Sequence, residues 1–557
     1  MLESLIPRVQ RATVPRPRPN PFAAAAALCL VVAAVPACAG DDGSSSGRGD
    51  DTSTTTTTAG SSGRAPEGSG ESIEQVPLRA YATRPDLRPP VIDVETAASP
   101  TPGFVFLTPK RAGAQAGPLI VDDEGEAVWS APTAGHDVAA DLRVQTYEGQ
   151  PVLTSWEGRS AVGLGFGELV IADRHYREVA RVQTGNGLEA DFHEFRLTDE
   201  GTALLVAYRA EPADLSPVGG PKEGYEYENF VQEVDIATGE VLMEWRAGDH
   251  VPVTDTFSEL TEDADGSEEA PFDWFHVNSV APGPDGTLLV SARNTHAIYA
   301  IDRETGVLRW SLGGRSSDVA MGEGVSFLWQ HDAQWLGGSR ISLFDNHASL
   351  TGGDASRALI LDIDTRAMTA ELVAEARHPD GLSAGTQGNT QVLGDGGLFV
   401  GWGSEGRVTE FSAAGDVVFD ASFAPADSYR AYRFEWTGLP EEQPDVVVTP
   451  ASDRRDDRGA DDGGGDDGGG DDGGADGSPA DEEGELDVAV SWNGATEVAS
   501  WRVLAGNDTD DLEPVATVRR EGFETAMRIP RAAVVAVEAL DASGAVLDRS
   551  ERIVVER

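Results

Sequence analysis

AIDRETGVLRW (300–310) joins a short apolar run, an aspartate, a turn and a second apolar run ending in tryptophan. Asp302, Thr305 and Gly306 are turn formers, and the flanks alternate apolar and polar as half-buried strands do, so the segment reads as a β-hairpin. Five further copies follow the same plan: LIVDDEGEAVW (119–129), VIADRHYREVARV (170–182), EVDIATGEVLMEW (233–245), ILDIDTRAMTAEL (360–372) and TEFSAAGDVVFD (409–420). They recur at intervals of roughly fifty to sixty-seven residues. A second, glycine-opened β-rich run falls between them: GQPVLTSW (149–156), GTALLVAY (201–208), GTLLVSAR (286–293), GSRISLFD (338–345) and GGLFVGWG (396–403), with GFVFL (103–107) as the sixth. Two hairpin-like units per repeat give a four-stranded sheet. Six such sheets set radially give a six-bladed β-propeller within residues 76–440, and no long helical pattern competes.

Outside that region the composition changes. Residues 441–483 contain DDGGGDDGGGDDGGAD, an acidic glycine-rich tract expected to be a self-repelling, disordered linker. Residues 484–557 alternate again (LDVAVSW, ASWRVLAG, PVATVRR, AVVAVEAL, RIVVER) and predict a small β-sandwich of the fibronectin type, with Trp492 and Trp501 in its core. The fold class is therefore all-β.

At the N-terminus, Arg8, Arg11, Arg16 and Arg18 precede an apolar stretch (22–37) that is too short for a comfortable membrane span and reads as an export signal. Val35-Pro36-Ala37-Cys38 resembles a bacterial lipobox. Residues 1–37 are then a lipoprotein signal peptide, Cys38 is the lipidated first residue, and the protein is exported and anchored at the outer face of the cell membrane. An ordinary signal peptide with a soluble product is the alternative. Residues 38–75, rich in Gly, Ser, Asp and Thr, cannot bury enough surface to fold and read as a tether.

Of 557 residues, 95 are Asp or Glu and 42 Lys or Arg, a formal charge of -53 that repels phosphate backbones and excludes nucleic acid as a natural partner. The two cysteines, Cys29 and Cys38, both lie in the leader region, which excludes a disulfide framework or cysteine metal site in the folded part. Four histidines precede glycine-opened runs at comparable offsets: His136, His193, His276 and His331, with Gln387 in the same slot of the last repeat. The innermost strands of a propeller converge on its axis, so this repetition turns distant histidines into one cluster. Arg293, at the end of the strand after His276, is expected at the same axis. Three imidazoles and a guanidinium predict a cationic pocket for a small anion or a charge-delocalised transition state. No spacing fixes a metal site. His250 reads as structural, and His175, His296, His347 and His378 as surface or loop residues.

At ADFHEFRLT, DWFHVNSV, SARNT, LGG, QHDAQ and SLFDN, within a likeness running from GFVFLTP (103–109) to YRAYRFEW (429–436), the chain resembles the bacterial arylsulfotransferase family. The resemblance implies a six-bladed propeller. It also implies transfer of a sulfuryl group from an aryl sulfate ester to a phenolic acceptor through a sulfohistidine, without a nucleotide sulfate donor or cofactor. By motif it implies His331 as nucleophile, His193 and His276 as supporting histidines, Arg293 as the active-site arginine and Asn278 as a further substrate-binding donor. A non-catalytic surface propeller that binds an anionic ligand or a surface polymer is the alternative. A quinone-dependent propeller would need a tryptophan docking motif in every blade, which is absent.

Overall fold

The computed structural model describes residues 74–134, 138–347, 355–451 and 484–555. The leader, Cys38, most of the tether, His136 and residues 452–483 of the acidic tract lie outside the described residues. The structure is all-β: among the described residues the helical elements are five three-residue 3-10 turns, and no helix is long and apolar enough to cross a membrane.

The sequence repeat becomes a four-stranded antiparallel meander, found six times among the described residues. The first runs Val138–Tyr147, Gln150–Ala161, Leu164–Ala172 and Glu178–Val182. The second runs Ala190–Leu197, Thr202–Ala213, Gly224–Asp235 and Val241–Arg246. A single pairing of Gly167 with Ala190 joins these two meanders. The third is Val277–Pro282, Thr287–Ala292, Ala297–Asp302 and Leu308–Gly313. The fourth is His331–Gly337, Arg340–Asp345, Arg357–Asp364 and Thr369–Ala376. The fifth is Asn389–Val392, Leu398–Gly401, Arg407–Phe411 and Val417–Ser422, edged by Asp93–Ala97. The sixth joins both ends of the repeat region, because Tyr432–Phe434 pairs with Phe104–Leu107, followed by Leu119–Val121 and Ala127–Ser130. Each quoted hairpin copy is the third and fourth strand of a meander, and each glycine-opened run supplies the second.

The apolar face of every sheet is buried against the next. Trp156 and Ile171 meet Leu205 and Val234 between the first two meanders. Val206 and Trp245 meet Val290 and Ile301 between the second and third, and Leu289 and Ile298 meet Ile341 and Leu361 between the third and fourth. Phe344 meets Val400 and Trp402 at the next interface. Val105 and Val121 meet Phe399 and Phe419 between the fifth and sixth, and Phe106 and Ile120 meet Leu142 and Leu153 between the sixth and first. Burial between neighbouring sheets thus involves all six meanders, and the first strands Val138–Tyr147, Ala190–Leu197, Val277–Pro282, His331–Gly337 and Asn389–Val392 pack side by side in that order.

Past Trp436 the chain builds two further sheets. One contains Asp445–Pro450, Glu485–Ser491 and Glu524–Pro530. The other contains Glu513–Arg519, Ser500–Gly506, Val534–Leu540 and Val546–Arg549. They share a core in which Trp492 and Trp501 are both buried. Residues 445–450 were expected to lie in the linker, yet they pair in register with Glu485–Ser491, from Asp445 with Ser491 to Pro450 with Leu486. Three consecutive valines, Val446–Val448, explain why this part of the segment pairs as a strand. Asn493 ties this unit to the sixth meander by exchanging hydrogen bonds with the Ser130 backbone, both at 3.0 Å.

Candidate active site

The first strands of five meanders bring their polar slots to one place; the slot at His136 lies outside the described residues. His193 lies in Ala190–Leu197, His276 directly precedes Val277–Pro282, and His331 opens His331–Gly337. Gln387 precedes Asn389–Val392, and Tyr429 occupies the corresponding place before Tyr432–Phe434. These strands are irregular where the site forms. Pairing shifts occur between Val277 and Ser279 and between His331 and Gln334. His276, Asp332 and Gln387 have φ of 58°, 55° and 67°, a left-handed conformation uncommon for non-glycine residues. Such bulges re-aim side chains out of a regular ladder.

His193, His276, Arg293, His331, Gln387, Tyr429 and Lys110 line a single cavity of about 430 Å³. The His193 and His276 rings lie 4.8 Å apart edge to face, and Tyr429 stands 5.2 Å from His193 and 6.4 Å from His331. Arg293 is fixed to the same hairpin as His276, since its backbone N–H donates to the His276 carbonyl at 2.9 Å. Its guanidinium stacks 4.6 Å over Trp329.

Each imidazole has a fixed Nδ1 partner. His193 Nδ1 meets Asp191 Oδ1 at 2.5 Å, and His276 Nδ1 meets Asp273 Oδ2 at 2.5 Å. His331 differs, because its Nδ1 partner is neutral: Asn346 Oδ1 at 2.7 Å. Both Asn346 amide hydrogens are used, by the carbonyls of Ala384 at 3.0 Å and Gln387 at 2.9 Å. Asn346 can therefore only accept from His331, so Nδ1 carries the proton and Nε2 holds a lone pair. The Gln387 N–H donates to that lone pair at 3.2 Å.

Burial, with the neighbouring His276 and Arg430 acting in the same direction, holds His193 well below its ordinary pKa; burial, reinforced by Arg293, does the same for His331. Burial raises Asp191 to about 7. The expected cationic pocket is thus corrected in its source. His193 and His331 are neutral imidazoles at pH 7, and the positive charge comes from Arg293 together with Lys110, whose ammonium burial pushes down and the adjoining Asp427 carboxylate holds up.

Asn278 lies elsewhere than expected. It is fully buried behind the cavity wall, with Nδ2 donating to the Gln330 carbonyl at 2.7 Å. Its carbonyl accepts from Arg430 at 3.0 Å. Arg430, itself fully buried, also meets Asp141 at 3.2 Å, Glu194 at 3.4 Å and Asp332 at 3.4 Å. Burial alone would raise Glu194, but Arg430 and Arg143 bring it down to about 2. This ionic layer forms the floor under the histidines. The two carboxylates of DFHEF therefore part company: Asp191 serves His193, and Glu194 serves the floor.

His296 and His378 lie in loops, one of the two places expected for them, and both are buried there. His296 is held between Phe257, stacked at 4.2 Å, and the edge of Trp329 at 4.3 Å. His378 sits against Trp402 and 3.4 Å from Asp420. Among the described residues no group of three or more His, Cys, Asp or Glu is placed to hold a metal ion. Sequence reasoning missed Lys110, Asn346 and Tyr429, although SLFDN and YRAYRFEW contain the last two.

Residues 143–424 match the family model described as Arylsulfotransferase (ASST), just over half of the chain. The chain belongs to the arylsulfotransferase family. The matched span holds His193, His276, Arg293, His331 and Asn346. No curated protein matches. Among solved structures, the chain is similar to a Bacteroides caccae protein of unknown function (13% identity, 59% of this chain, 98% of that one, TM-score 0.36). It is similar also to a catalytically inactive virginiamycin B lyase of Staphylococcus aureus (8% identity, 61% and 89%, TM-score 0.29). A third is Citrobacter koseri AztD (13% identity, 59% and 97%, TM-score 0.25).

Proposed function

We propose that this arylsulfotransferase-family chain is a six-bladed β-propeller with a C-terminal β-sandwich, and that it moves a sulfuryl group from an aryl sulfate ester to a phenolic acceptor by way of a sulfohistidine on His331. The observation that carries this is the single tautomer Asn346 allows His331, which leaves Nε2 unprotonated in a cavity shared with Arg293 and two further imidazoles. A neutral imidazole is a competent nucleophile near pH 7 and, once sulfated, a good leaving group.

In the first half-reaction the Nε2 lone pair forms the N–S bond as the aryl O–S bond breaks. The departing phenolate takes the Nε2 proton of one of His193 and His276, whose Nδ1 atoms are both tied to carboxylates; for His193 the Asp191 carboxyl, raised to about 7, passes its own proton to Nδ1 in the same step, so the ring stays neutral. In the second, that imidazole removes the proton of the acceptor phenol, whose oxygen bonds to sulfur as the N–S bond breaks and Nε2 recovers its lone pair. Sulfuryl transfer, like phosphoryl transfer, has a loose transition state with charge on the peripheral oxygens, and Arg293 supplies the opposing charge. The Gln387 N–H that rests on Nε2 is released by the incoming sulfur and stays beside a sulfuryl oxygen. Asn346 accepts from Nδ1–H throughout and steadies the sulfated ring. In the cell the protein would act outside the cytoplasm, held to the membrane by a lipid on Cys38.

The test is turnover of 4-nitrophenyl sulfate with and without phenol, by the wild type and His331→Asn. Nitrophenol release that requires phenol and vanishes in the variant is expected. Release that ignores the acceptor, or survives in the variant, contradicts the proposal.

A further inference from the structure

Basic side chains in this chain are almost all arginine: lysine supplies two of 42. One, Lys222, is exposed on a loop. The other, Lys110, reaches the catalytic cavity from the sixth meander, whereas Arg293 reaches it from the third. The Lys110 Nζ donates to Gln387 Oε1 and to Asp427 Oδ1, both at 2.5 Å. Gln387 is the residue whose backbone N–H touches His331 Nε2, so the ammonium stands one residue from the nucleophilic atom. The backbone is built to hold it there. Lys110 and Asp427 exchange both backbone hydrogen bonds, at 2.9 and 3.0 Å, and Arg111 and Ala112 follow with φ of 64° and 46°.

Two features point to a further ligand. An ammonium has three donors, and the protein takes two of them. Asp427 faces two cations, because Arg111 also pairs with it at 2.9 Å, so one carboxylate leaves a positive charge uncompensated. A compact ammonium can direct a third hydrogen bond into the cavity while keeping its two wall contacts; a planar guanidinium fork cannot make that set.

We propose that Lys110 is a catalytic residue that donates its third N–H to an oxygen of the transferring sulfuryl group, opposite Arg293. The role rests on reading the cavity as a sulfuryl-transfer site. No bond to Lys110 forms or breaks; its charge offsets the charge that collects on the sulfuryl oxygens in both half-reactions.

The test uses the full chain and inorganic sulfate as the probe. Sulfate inhibition, competitive with 4-nitrophenyl sulfate, is measured with KM for phenol and kcat in the wild type and Lys110→Met, alongside thermal unfolding. Removing one donor of this kind is expected to lower kcat about 100-fold and to weaken sulfate about 10-fold, with KM for phenol nearly unchanged. A merely structural lysine would shift phenol and sulfate together. If the methionine variant fails to fold, Lys110→Gln replaces it, with the same losses of kcat and sulfate affinity expected, and wild-type values for both overturn the proposal. Wild-type transfer with sulfate binding and kcat retained in Lys110→Met overturns the role of Lys110 alone. A wild type that neither binds sulfate nor transfers overturns the sulfuryl-transfer reading with it.

Discussion

His331 is set apart from its two neighbours by what its Nδ1 touches: an amide where His193 and His276 have carboxylates. A carboxylate would favour the charged ring and block the lone pair; the amide does not. Burial first and Arg293 second already hold His331 well below its ordinary pKa, so Nε2 should remain free on moderate acidification. The burst of nitrophenol release in the wild type is expected to stay flat between neutral pH and about 6. Asn346→Asp should raise the pKa of His331 and move the acid limb upward, so the loss of burst rate grows as pH falls. A variant with the wild-type pH profile contradicts this role. A second residue-scale prediction concerns His296, which burial and then Arg293 push down to about 4. Between that value and its unfolded pKa the unfolded chain binds a proton that the folded chain does not, so stability falls as pH drops through this window. His193 and His331 act in the same direction, and Asp191, raised to about 7, acts in the opposite one. His296→Phe keeps the stack on Phe257 and removes one proton site. Its loss of unfolding free energy between pH 7 and 4.5 should be smaller than the wild type's by about 2 kcal/mol in urea titrations.

The strands that hold these residues were the least legible part of the sequence. Second, third and fourth strands announce themselves by alternation and by Asp/Gly/Thr turns. First strands do not: Ala190–Phe195 is buried at every position, and bulges break the period in Val277–Pro282 and His331–Gly337. The histidines were found because the same slot recurs from repeat to repeat. The same recurrence gave Gln387; Asn346 and Lys110 act through hydrogen bonds between meanders, and a linear pattern carries no trace of those. The same cause misplaced Asn278, whose side chain turns toward Gln330 of the next meander, and hid the burial of the loop residue His296, whose partners Phe257 and Trp329 lie far away in sequence. Element geometry also supports the dyads. The Gly165 N–H donates to Asp191 Oδ2 at 2.5 Å, and a Cβ at Gly165 would lie 2.7 Å from the Phe192 ring and 2.8 Å from its nitrogen. Gly165→Ala is therefore expected to cost about 2 kcal/mol of stability and to lower kcat by displacing Asp191, read by thermal unfolding and turnover together. Wild-type values for both would contradict it.

For the whole molecule, closure and charge dominate. The sixth meander exists only because Tyr432–Phe434 returns to Phe104–Leu107. That strand also brings Arg430 to the floor and Tyr429 to the cavity. A chain ending at residue 428 should lose cooperative unfolding, whereas loss of the unit beyond residue 440 should leave sulfuryl transfer in place, since the cavity residues lie between 110 and 429. The charge of -53 spreads over a surface where most basic groups are already paired. Self-repulsion of that size is relieved by screening, so the unfolding temperature should rise from low to molar salt; insensitivity to salt would contradict it. The central claim is that His331 carries the sulfuryl group between two phenols. Its most direct test is to mix the full chain with 4-nitrophenyl sulfate in the absence of acceptor, quench, and locate any added SO3 by peptide mass spectrometry. The expected result is one SO3 on the peptide containing His331, lost on adding phenol and absent in His331→Asn. Turnover with the adduct on another residue, or with none trapped, would contradict the account.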